Sequence, residues 1–199
     1  MNFLYRAPGR PEHLGVLPGA FNPVTVAHLA LARAAAAHVD QVLFVLPRGF
    51  PHKEYSGAGF AERADLLLKL AEGSAFFSAA CADGGLFIEI ARECRELYAG
   101  NILVSILCGR DAAERAVHWD YGAPGAFEKM LDEFGMLVAA RRGEYTPPPK
   151  LAHSIRCLEL DGEFDHVSAT EVRRRIAAQE NWEHLVPTAV RDQVARLYR

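Results

Sequence analysis

The 199-residue chain has little surplus charge. Its formal net charge is −3, with 22 Lys and Arg against 25 Asp and Glu. A general nucleic-acid binder needs a basic face, so that class is disfavoured, although a local basic pocket for a nucleotide is not. No apolar run comes near the ~20 residues that span a bilayer, so a membrane role is not expected. The N-terminal segment carries no apolar core of a signal peptide, and the expected location is cytoplasmic. Only four cysteines occur, Cys81, Cys94, Cys108 and Cys157, with no Cys-x-x-Cys pair. Buried free thiols are the expectation, and no metal cluster is legible. There is no internal repeat and no Gly-x-Gly-x-x-Gly after the first strand-like run, which weighs against a dehydrogenase.

What the chain does have is alternation. Apolar runs at 14–17, 41–46, 75–80, 101–108, 136–140 and 155–160 read as strands. Helical spacing at 29–37, 60–70, 86–97, 126–134, 168–179 and 188–198 lies between or after them. The run 41–46, Gln-Val-Leu-Phe-Val-Leu, is apolar without a break, as a strand buried on both faces would be. Residues 1–13 are Pro-rich and read as an irregular surface arm, and 146–149 as a rigid linker. On the helix 60–70, Arg63 and Lys69 read as polar positions.

The expectation is therefore one α/β domain over 1–199, Rossmann-like and doubly wound, with a mostly parallel sheet across 14–160. A small C-terminal helical appendage covers 168–199. In such sheets ligands bind beyond the carboxyl ends of the strands. The stretches 19–28, 47–53, 109–111 and 141–143 all sit at such ends, so they should converge on one crevice.

The stretch 19–28 reads Gly-Ala-Phe-Asn-Pro-Val-Thr-Val-Ala-His. Gly19 allows close approach, Pro23 stiffens the turn, and Thr25 is a candidate N-cap. His28 then falls in the first helical turn, where the helix N-terminus favours anions. Thr25 and His28 alone would describe an ordinary capped helix. The full pattern Gly-x-Phe-Asn-Pro-x-Thr-x-x-His is far rarer, at ~10⁻⁶ to 10⁻⁵ of chains this long by composition.

That pattern resembles the signature of the nucleotidylyltransferase superfamily, and most closely its mononucleotide adenylyltransferases. The loop holding Arg48, His52 and Lys53 resembles a Pro-His-Lys segment of those enzymes, which implies that Lys53 contacts a substrate phosphate. Gly109-Arg110-Asp111 followed by Trp119 resembles a Gly-x-Asp and a later Trp. The resemblance implies ribose contact by Asp111 and stacking of a pyridine ring on Trp119. The stretch 168–173 opens with a Ser-x-x-Glu capping box. It also resembles the family's Ser-x-Thr-x-x-Arg motif, which implies that Ser168, Thr170 and Arg173 bind ATP phosphates. Arg174 and Arg175 read as a solvated helix face.

The catalytic set implied is His28, Thr25, Lys53 and Arg173. The ATP site would comprise Gly19, Phe21, Asn22, His28, Gly109, Asp111, Arg141, Ser168, Thr170 and Arg173. Lys53, Trp119, Gly84 and Gly85 would bind the acceptor. The nicotinate enzymes that the chain resembles usually carry a Tyr-Thr pair where this chain reads Gly84-Gly85-Leu86-Phe87, so the residues expected to choose between acid and amide are missing and a different acceptor phosphate stays open. Backbone amides at Gly84 and Gly85 are candidates for holding a carboxylate.

The implied reaction moves AMP from ATP to the phosphate of a pyridine mononucleotide, nicotinate or nicotinamide, with pyrophosphate leaving, in NAD biosynthesis. Mg²⁺ would arrive with ATP, since phosphates supply most of its oxygens. The partners are thus ATP and a small phosphorylated acceptor, and a homo-oligomer is compatible with the sequence. Two alternatives stay open at this stage: an adenylyl- or cytidylyltransferase for another phosphorylated small molecule, and a nucleotide-binding protein without turnover.

Overall fold

Residues 1–49, 57–98, 100–139, 145–160 and 164–199 are described by the computed structural model. Seven strands among them form one sheet: β1 (Asn2–Tyr5), β2 (His13–Pro18), β3 (Gln41–Pro47), β4 (Phe77–Ala82), β5 (Leu103–Gly109), β6 (Gly135–Ala139) and β7 (Ile155–Leu158). Their order across the sheet is β1-β4-β3-β2-β5-β6-β7. β2 to β7 pair in parallel, and β1 joins β4 antiparallel. The helices are α1 (Val26–Ala34), α2 (Phe60–Ala71), α3 (Phe87–Leu97), α4 (Arg110–His118), α5 (Ala126–Met130), α6 (Ala169–Ala177) and α7 (Arg191–Leu197).

The unbroken apolar run in β3 is explained by its place inside the sheet. Val42, Phe44 and Leu46 face one core layer, with α1, α2, α6 and α7. Leu43 and Val45 face the other layer, with α3, α4 and α5. Every residue of β3 is buried. Val172, Ile176, Val190 and Val194 bring the C-terminal helices into the same core as Phe44.

The arm expected at 1–13 is not irregular: Asn2–Tyr5 is the edge strand β1. It is only four residues long and is followed by Pro8 and Pro11, which hide its pattern. Its register is fixed by Asn2 opposite Cys81, and Phe3 packs edge-on to Tyr98 at 5.4 Å. The helix expected at 126–134 stops at Met130, after which Leu131 and Phe134 turn into the core. The linker at 146–149 runs into a 3₁₀ turn, Pro149–Leu151, anchored by buried Leu151.

The chain leaves β2 toward β3 and β4 on one side of the sheet, and resumes with β5, β6 and β7 on the other. The carboxyl ends of β2 and β5 therefore flank a topological switch point, where the following loops diverge and leave a crevice.

Candidate active site

A cleft of about 770 Å³ opens at that switch point. Gly19, Phe21, Asn22, His28, Gly85, Gly109, Asp111, Trp119, Ser168, Thr170 and Arg173 all line it. The strand-end stretches 19–28 and 109–111 thus meet, as expected, whereas Pro47, Arg48 and Gly49, the described part of 47–53, do not line the cleft. Thr25 and Gly84 do not line the cleft. Lys53, His52 and Arg141 lie outside the described residues.

The loop after β2 is shaped by its aromatic residue. Phe21 has φ of 45°, and its ring turns back over Gly19. A Cβ on Gly19 would stand 2.8 Å from that ring, so only glycine fits. The same ring meets Phe44 at 5.9 Å and His28 at 5.2 Å, both edge-on. Arg63, expected on a polar helix face, is only 3 % exposed and donates to the carbonyl of Ala20 at 2.8 Å. No feature of the sequence distinguishes it, because a buried arginine among apolar residues reads as an exposed one.

Thr25 departs from its expected role at ATP. It is fully buried as the N-cap of α1. Its backbone N–H donates to Nδ1 of His28 at 3.0 Å, and its hydroxyl lies 2.8 Å from the same nitrogen. The imidazole thus does what glutamate does in an ordinary capping box, reaching back to an orphan amide at the helix start. A backbone N–H can only donate, so Nδ1 is the accepting nitrogen and the ring proton of the neutral imidazole belongs to Nε2. Thr25 holds the ring; His28 faces the cleft.

Ser168 caps α6 by accepting the Glu171 N–H at 3.0 Å. Thr170 and Arg173 then fall on the cleft side. Arg173 donates to the carbonyl of Asn22 and reaches Thr170 Oγ1 at 3.5 Å. Arg174 and Arg175 are more than a solvated face. Both pair with Glu171, at 2.8 and 2.7 Å, and hold its carboxyl down at about 2. Arg175 also donates to the carbonyl of Asn181 at 3.0 Å, which ties the following turn to the helix.

At the other end of the cleft, α4 begins directly after β5. Asp111 is in its first turn, and Arg115, four residues on, shares the lining face. That spacing was available in the sequence and was the signal for Arg115. Arg110, Arg115 and Arg173 outnumber Asp111 and Asp165 among the charged lining residues. Trp119 ends α4 with 36 % exposure. Cys108 also lines the cleft, but burial pushes its thiol up to about 12, so it is no nucleophile at neutral pH.

The backbone amides expected to take a carboxylate already have acceptors. Gly84 N–H donates to Glu93 at 2.7 Å, and the N–H groups of Gly85 and Leu86 donate to Glu89 at 2.9 Å. Gly84 serves packing instead: a Cβ there would lie 2.5 Å from Cβ of Glu89. Among the described residues, no group of three or more His, Cys, Asp or Glu could hold a metal ion, and no helix is long and apolar enough to cross a membrane.

The family model for cytidylyltransferase-like proteins matches residues 16–175. The "Probable nicotinate-nucleotide adenylyltransferase" of Treponema pallidum (strain Nichols) is 29 % identical over 94 % of this chain and 98 % of its own. A protein of the same name from Thermus thermophilus is also 29 % identical, over 94 % of this chain and 99 % of its own. The nicotinic acid mononucleotide adenylyltransferase of Plasmodium falciparum, solved with NaAD, superimposes with a TM-score of 0.69 at 14 % identity, covering 93 % of this chain and 95 % of that one.

Proposed function

This chain belongs to the cytidylyltransferase-like family and is a nucleotidyltransferase, and from that premise we propose that it transfers AMP from ATP to the phosphate of a pyridine mononucleotide. The relatives named for nicotinate-nucleotide adenylyl transfer support the pyridine acceptor. The observation that carries the reading is the meeting of two helix starts, at His28 and at Thr170 with Arg173, on one cleft. Both present positive ends to the same space, which suits a polyphosphate.

In this reaction an acceptor phosphate oxygen forms a bond to the α-phosphorus of ATP. The bond from that phosphorus to the bridging oxygen breaks, and pyrophosphate leaves. The acceptor oxygen attacks directly, so no side chain need become covalently attached. What the chain supplies is position and charge. Nε2–H of His28 donates to a phosphate oxygen, oriented by Thr25 from behind. Arg173 and Thr170 meet the β- and γ-phosphates, and Lys53 is assigned to the same charge. Asp111 accepts from a ribose hydroxyl. Trp119 offers its face to the pyridine ring, with Gly85 and Leu86 at the edge. Mg²⁺ accompanying ATP would be held mainly by the phosphates rather than by this chain's side chains, and would offset charge on the leaving pyrophosphate.

The acceptor is tested by offering nicotinate mononucleotide, nicotinamide mononucleotide and phosphopantetheine at fixed ATP. Pyrophosphate release with a pyridine substrate supports the reading. Release with phosphopantetheine alone would overturn the acceptor and leave the family assignment.

A further inference from the structure

Asn22 receives hydrogen bonds from residues 151 and 176 positions further along the chain. The Arg173 guanidinium donates to its backbone carbonyl. The Tyr198 hydroxyl donates to its side-chain Oδ1 at 2.6 Å. Asn22 is 6 % exposed, so the carboxamide oxygen has little water to turn to. The chain at Gly57, with φ of +99°, closes over the pair: a Cβ there would stand 3.1 Å from Asn22 Oδ1 and 3.4 Å from Cε1 of Tyr198. Burial raises the Tyr198 phenol above its ordinary value, so it remains a donor at any working pH.

We propose that Tyr198 is a positioning residue for nucleotide binding: by holding the Asn22 side chain it fixes the carbonyl that anchors Arg173, and so sets where that guanidinium stands in the cleft. Tyr198 itself does not line the cleft. Its influence passes through Asn22, which does. A single residue carries both bonds, one on its side chain and one on its backbone, so loosening the first displaces the second. This makes the segment after α7 part of the ATP site at one remove. The proposal rests on the assignment of Arg173 to the ATP phosphates made above.

A phenol that merely filled space would show itself in stability alone. The test therefore measures equilibrium binding of ATP by calorimetry, which needs no turnover, together with acceptor affinity and thermal melting. Tyr198→Phe keeps the ring and its packing and removes only the donor. It is expected to weaken ATP binding about tenfold, the size of one charge-assisted hydrogen bond from a displaced Arg173 to phosphate, and to leave acceptor affinity unchanged. In an Arg173→Ala background the same change should weaken ATP binding no further, because the group it positions is gone. Tyr198→Met, which also lacks the donor but can fill the space of the ring, should behave alike and serves if Tyr198→Phe does not fold. Unchanged ATP binding in the folded single variant, or losses that multiply in the double variant, would overturn the proposal. A wild-type protein that binds ATP but transfers nothing would defeat the assigned reaction and leave this inference standing. One that does not bind ATP would defeat both.

Discussion

Nδ1 of His28 accepts the backbone N–H of Thr25 at 3.0 Å, so the imidazole that faces the cleft is also the cap of its own helix. The two residues of the signature are therefore unequal. On the proposed reading one meets the substrate, while the other holds the accepting nitrogen of the first. His28→Ala is expected to lower kcat roughly 10²–10³-fold, as removal of an oriented donor at developing charge does. Thr25→Ala keeps the backbone N–H and should cost far less activity. Its larger effect is on melting temperature, through a cap worth about 1 kcal/mol. Steady-state kinetics and thermal melting on both variants check this. Equal activity losses would mean that Thr25 also meets the substrate.

Arg173 and Arg175 lie two positions apart on α6 and should fail differently. Arg173→Ala is expected to raise the KM for ATP at least about tenfold, since a charge-assisted bond to phosphate is lost. Arg175→Ala should leave both KM values alone and lower the melting temperature, because it releases Glu171 and the Asn181 carbonyl. Matching rises in KM would point to a diffuse basic face.

The Glu171 network should be visible in acid. Its folded-state value, about 2, lies below the unfolded value of about 4.3. A depressed carboxylate contributes stability that is present above the unfolded value and is lost as pH falls toward the folded one. Melting temperature should therefore drop between about pH 4.3 and pH 2, and high salt should shrink the drop. Glu171→Gln should remove this component of the drop. An identical acid profile in wild type and variant would mean that the pairs carry no stability.

Trp119→Ala should raise the KM for the acceptor by about 2- to 13-fold, which corresponds to the 0.5–1.5 kcal/mol typical of aromatic stacking, and leave the KM for ATP unchanged. A rise for ATP in place of the acceptor would reverse the two ends of the cleft.

The architecture was largely legible because it rests on periodicity and order. Unbroken runs such as 41–46 mark buried strands, and alternation with helices implies a parallel sheet with its loops gathered at one end. The meeting of 19–28 with 109–111 follows from that order, whereas 168–173 was assigned to the same site by the resemblance of its motif alone. What was not legible depends on side-chain direction. Spacing puts Thr25 and His28 in one turn, but which of them turns inward is decided by a hydrogen bond between them. Glu89 and Glu93 reach back over Gly84, Gly85 and Leu86 and occupy amides that the residue pattern left open. Arg63 and Tyr198 act at distances along the chain that no local pattern encodes.

Transfer of the adenylyl group itself can be followed with labelled ATP. With ATP carrying radioactive phosphorus at the α-position, and a pyridine mononucleotide as acceptor, the label should appear in an adenine–pyridine dinucleotide, with one pyrophosphate released for each dinucleotide formed. Label recovered only as ADP, or as AMP with no acceptor adduct, would rule out adenylyl transfer to this acceptor.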